Sequence, residues 1–173
     1  MSEILDNRER ARSLRRRLND PSIDIESLAS EAATVFSTAG RHVQERWLGL
    51  ELRGYIASAE PSSVHDVLGL KSGERLVVQV KTYRVQGGNL AEGQMAGVSF
   101  HHFFVEPVRA LVEAQRRART IAVNGATTIR LDFPPNPSKP YLPTSGEFRL
   151  DTFDRILLGL RAVLHLQLGS LAQ

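Results

Sequence analysis

The 173-residue chain contains no cysteine, which excludes disulfides, thiolate nucleophiles and cysteine-ligated zinc together. Long apolar runs are missing too. None approaches the roughly 20 residues that cross a bilayer, so no membrane partner is expected. The opening Met-Ser-Glu-Ile-Leu-Asp-Asn-Arg lacks a basic stretch followed by an apolar one, so no secretory leader is expected and a cytoplasmic location is the default. Aromatic residues are few, with a single Trp, and neither sign of charge dominates: 22 Lys and Arg stand against 19 Asp and Glu, a net +3. The sequence pI is nevertheless about 9.7, because Arg outnumbers Lys and stays protonated to very high pH.

What is present is enough apolar material, 42% of residues, to bury the core of one ordinary domain over 1–173. The pattern predicts an α+β fold in which a helical N-terminal part (1–57) and a C-terminal helix (151–171) pack around a small antiparallel sheet. Strands and one helix are expected over 75–133. Ile4, Leu5, Ala11, Leu14 and Leu18 give a first, weakly amphipathic helix. Leu28, Ala32, Val35, Phe36 and Ala39, then Val43, Trp47, Leu50 and Gly54, keep one face of two further helices. Asp24 caps the first of these, and Gly40 makes the corner.

The β-branched run Leu76 to Val85 predicts a strand, and a polar loop leads from it into Val98 to Val105. A helix is expected from Pro107 to Arg117. Asn124-Gly125 between Thr120–Val123 and Ala126–Leu131 predicts a two-residue hairpin. A loop at 58–63, a turn or short helix at 64–70 and an extended proline-rich connector at 133–143 complete the middle. Asp151 or Thr152 then caps a helix carrying Phe153, Ile156, Leu157, Leu160, Val163, Leu164 and Leu168 on one stripe. That stripe must be covered, by the Trp47 face or in a dimer.

The residues offer little chemistry. His101 and His102 are neighbours, so in a strand they point to opposite faces, and with Glu106 they make no zinc-like spacing. No metal is expected. Gly87-Gly88 lacks the Lys-Ser/Thr of a phosphate loop, and no cofactor is implied. Arg161 and His165 lie four apart on one helix face, a pattern similar to the Arg-x4–6-His motif of HEPN ribonucleases but one residue short. They are the only catalytic candidates, for an RNase-like toxin. Two Arg clusters, Arg15, Arg16 and Arg17 and then Arg116, Arg117 and Arg119, are candidates for neutralising nucleic-acid phosphates. No aromatic residue is interleaved to stack on bases, and a solvated helix face is the plainer reading.

The run Glu-Arg-Trp-Leu-Gly-Leu-Glu-Leu-Arg-Gly-Tyr resembles the AbiTii domain, a bacterial family linked to abortive infection, in its pattern Glu-x-Trp-x-x-x-Glu-Leu-x-Gly-Tyr. Glu45, Trp47, Glu51, Leu52, Gly54 and Tyr55 stand at those positions. A Tyr-Arg pair, here Tyr83-Arg84, and a closing amphipathic helix containing Arg are also similar. After Tyr55 the family continues with an acidic, proline-containing segment, whereas 58–74 here is longer and not acidic. The resemblance implies antiviral defence, as a free-standing protein or as a module that recruits or regulates an effector. The leading expectation is a non-enzymatic module with a protein partner that forms homo-oligomers. It brings a structural signature and no catalytic residues.

Overall fold

A computed structural model describes residues 2–55, 74–133 and 144–173. The loop expected at 58–63, the turn or short helix at 64–70 and all but Phe133 of the proline-rich connector lie outside them. The described residues form an α+β fold with helices α1 (Ser2–Leu18), α2 (Ile25–Thr38), α3 (His42–Arg53) and α4 (Arg75–Arg84). Strands β1 (Val85–Leu90) and β2 (Ser99–Phe103), helix α5 (Val108–Val123), strands β3 (Thr128–Asp132) and β4 (Ser145–Arg149), and helix α6 (Thr152–Gly169) follow. The sheet is antiparallel, in the order β2-β1-β4-β3.

The first three helices follow the apolar spacing. Asp24 Oδ2 accepts from Ser27 N at 2.8 Å and so caps α2. Ala11, Leu14 and Leu18 of α1 and Leu28, Ala32, Val35 and Phe36 of α2 are buried. In α6 the whole stripe from Phe153 to Leu168 is buried as well, against α1, α4 and α5 of the same chain. Self-association through that stripe is therefore corrected: it already forms the centre of the core. Asp151 precedes α6 without a side-chain cap and pairs instead with Arg149 and Arg155.

Two local expectations are overturned. The run from Leu76 is helical, not a strand, and only Val85 onward is extended. Leu76, Val77, Val80, Tyr83 and Arg84 are its buried positions, a spacing that one helix face satisfies. Burial outweighs the β preference of the valines, a preference that reflects context more than backbone. Asn124-Gly125 makes no hairpin, because α5 continues to Val123 and stops there. Gly125 N donates to Ala122 O at 3.0 Å and Ala126 N to Ile121 O at 3.2 Å, with Gly125 at φ 86°. That is a helix C-terminus closed by a left-handed glycine, and the same bond pattern closes α2 at Gly40.

Helix α6 reaches α4 through an unusually close approach. A Cβ added at Gly159 would lie 2.2 Å from Tyr83 Cβ, so only glycine fits. Gly159→Ala should therefore destabilise by about 1–3 kcal/mol through overpacking, although alanine is the better helix former by about 1 kcal/mol. Urea unfolding of the two proteins measures it. A neutral or stabilised variant would show that the two helices are not in contact there.

Candidate functional site

The signature residues assemble into a buried polar hub. Trp47 and Glu51 are one helical turn apart in α3 and share a face, Tyr55 follows just past the Gly54 break, and all three are buried. Tyr83 and Arg84, at the end of α4, approach from the other side. Glu51 Oε1 accepts from Tyr55 OH at 2.6 Å, Tyr83 OH at 2.7 Å, Trp47 Nε1 at 3.2 Å and Arg84 Nε at 3.4 Å. Its Oε2 pairs with Arg84 Nη2, and both side chains are 0% exposed. Trp47 Nε1 also donates to Tyr83 OH at 2.9 Å.

Arg84 extends the hub to the sheet. Its Nη1 donates to Phe104 O at 2.8 Å and Glu106 O at 2.7 Å, just beyond β2, and its Cζ stands 5.0 Å from the Tyr55 ring centroid. One guanidinium thus binds α3, α4 and the β2–α5 connection together. Burial would lower the Arg84 pKa, but the Glu51 charge overrides it and holds the group above its ordinary value. Burial, then the Glu51 charge, pushes both Tyr55 and Tyr83 well above theirs, so the phenols are held as donors. Gly54 completes the motif at φ 90°, where an added Cβ would meet Val105 O at 3.1 Å. Tyr55 N donates to that carbonyl at 2.7 Å. Leu52 packs half-buried on the core, while Glu45 stands apart at the surface beside His42 at 3.4 Å.

Such a hub can lock three elements in one arrangement. Its acceptors and donors are satisfied by one another and its carboxylate is closed to solvent, so it has no free group to offer a substrate. The sequence pattern located Trp47, Glu51 and Tyr55 but not their counter-ion. The available signal was the inward-facing Glu51 between two aromatic residues, since a buried carboxylate needs a cation.

The catalytic candidates do not converge. Arg161 Nη1 donates to Leu18 O and Asp20 O, both at 3.2 Å, and Nη2 donates to Ile23 O. It therefore caps the C-terminus of α1, satisfying carbonyls that a helix end leaves unpaired. His165 lies one turn on, beside Arg15, where burial and then the Arg15 charge lower its pKa. In the Arg clusters, Arg17 pairs with Glu31 at 2.5 Å and Arg119 with Asp154 at 2.8 Å. Arg16, Arg116 and Arg117 are exposed, and Arg15 is half-buried. His101 is exposed while His102 is half-buried on the opposite face of β2, as alternation requires. Among the described residues no three His, Asp or Glu side chains gather as metal ligands, and no helix is long and apolar enough to cross a membrane.

Comparison with protein-family models, with curated proteins and with solved structures finds no match to this chain.

Proposed function

We propose that the chain is a non-enzymatic interaction or regulatory module of a bacterial phage-defence system, of the kind its resemblance to the AbiTii domain implies. The observation that carries the non-enzymatic half is the closed Glu51 hub: Trp47, Glu51 and Tyr55 are buried and joined to Tyr83 and Arg84 of α4. The defence half rests on the motif itself. Such a module works by presenting surface to a protein partner. Any self-association uses residues outside the buried α6 stripe, where Leu158 and Leu166 remain 59% and 53% exposed.

The ribonuclease alternative asks Arg161 and His165 to act together, yet the arginine is committed to three backbone carbonyls. Arg161→Ala should lower stability by about 1.5–3 kcal/mol, the range for hydrogen bonds from a charged group. His165→Ala should leave the fold unchanged. Bacteria expressing the wild type and each variant are challenged with a phage panel, and total RNA is inspected. RNA cleavage that disappears with His165→Ala would overturn the non-enzymatic reading. Unchanged plating of every phage on wild-type cells would overturn the defence reading.

A further inference from the structure

Of the six arginines in α1, Arg10 pairs with Asp6 and Arg17 with Glu31. On the flank that borders α6 this matching stops. Arg12 donates only to a carbonyl, Ala172 O, at 3.1 and 3.2 Å. Arg15, laid against Gly169, has an enclosed Nε with no acceptor among the described residues. Neither Arg15 nor the exposed Arg16 forms an ion pair or side-chain hydrogen bond with a described residue. The three line an open groove of about 790 Å³ with Ser13, Asn19 and His165. Asp6 and Glu9 stand at its N-terminal end, where Arg10 answers Asp6.

We propose that this groove binds the phosphate group of a ligand, with Arg12, Arg15 and Arg16 supplying the charge and Ser13, Asn19 and His165 flanking it. A half-buried cation without a counter-charge is unfavourable, and three at i, i+3 and i+4 on one flank repel one another. An oxyanion resolves both. Guanidinium forks match phosphate oxygens in pairs, while Ser13 and Asn19 add neutral donors. No Phe, Tyr or Trp lines the groove, so stacking is limited to the His165 imidazole and recognition is chiefly of phosphate, not sequence. A phosphate beside Arg15 offsets the charge that helps hold the His165 pKa down. The same chemistry fits a free phosphate-bearing small molecule or a phosphodiester backbone, and it stands whether or not the chain serves in defence.

The test uses the full chain and two probes. Imidazole resonances are followed by NMR during a pH titration with inorganic phosphate, against chloride at equal ionic strength. The His165 pKa should rise with phosphate in the wild type and not in Arg15→Gln. Binding of single-stranded oligothymidylate is measured from about 50 to about 200 mM salt. Three neutralised phosphates give a slope near −2, an affinity loss of about twenty-fold, and Arg15→Gln or Arg16→Gln should each flatten the slope by about 0.7. A response to phosphate alone assigns the small ligand, and one to the oligonucleotide assigns the backbone. No response to either probe overturns the proposal. So does an unchanged response in both variants, which keep their fold by circular dichroism because neither side chain bonds a described residue.

Discussion

Replacing Arg84 by Met should lower the unfolding free energy by about 3–5 kcal/mol, the range for removing one partner of a buried ion pair. The change leaves Glu51 as a charge with no exposed surface and no counter-ion, and it frees the carbonyls of Phe104 and Glu106. Glu51→Leu should do at least as much harm, because it takes the acceptor from the Tyr55 and Tyr83 hydroxyls and from Arg84 Nε and Nη2. It also leaves a buried guanidinium without a counter-charge, and leaves Trp47 Nε1 only its bond to Tyr83. Tyr55→Phe removes a single hydroxyl and should cost about 1–2 kcal/mol. Urea unfolding of the three variants gives the order, and Tyr55→Phe keeps the series measurable if Glu51→Leu fails to accumulate. The double variant Glu51→Leu/Arg84→Met should be less destabilised than the sum of its parts, with a coupling of about 0.5–3 kcal/mol. Additive losses would mean that the two groups do not sense each other, and the hub would lose its standing as the fastener of α3, α4 and the sheet.

The sequence made the helices near that hub legible and left its completion hidden, for physical reasons. Trp47 and Glu51 are four apart, so one helix sets them side by side, whereas Glu51 and Tyr55 were singled out by the family pattern alone, and Tyr55 follows the break at Gly54. Arg84 was not placed because its segment is rich in valine and reads as extended, while its helical state comes from burial of Val77, Val80 and Tyr83, which is tertiary information. Asn124-Gly125 misled in a related way. Positive φ at the glycine was legible, but left-handed glycines close helices as well as hairpins. The charged run into Thr120 shows which applies only once Ala118 is seen to be buried. The α6 stripe was fully legible, whereas its cover was open until α1, α4 and α5 were seen on it. Arg161 looked like chemistry because sequence spacing cannot distinguish a reactive arginine from one that caps a neighbouring helix 143 residues away in the chain.

Protonation of His102 alone should lower folding stability by up to about 3 kcal/mol as pH drops from 6.5 toward 4. Its ring stacks on Phe133 at a centroid distance of 4.1 Å and meets the edge of Phe104 at 4.7 Å, with Phe148 and Phe100 completing the wall. Its Nε2 is enclosed without a partner among the described residues. Burial alone lowers the imidazole pKa from 6.5 to about 4. Between those values the unfolded chain binds a proton that the folded chain refuses, so stability rises with pH across the window and is complete above 6.5. A tenfold difference in proton affinity between the folded and unfolded chains corresponds to about 1.36 kcal/mol. His102→Phe keeps an aromatic ring in the cluster and cannot titrate. Its stability should decline less than the wild type's between pH 6.5 and 5, above the range where most carboxylates protonate, the remaining slope coming from His165, whose pKa is also lowered. Parallel curves for the two proteins over that interval would show that the imidazole is as well hydrated folded as unfolded, and that the aromatic wall does not close around it.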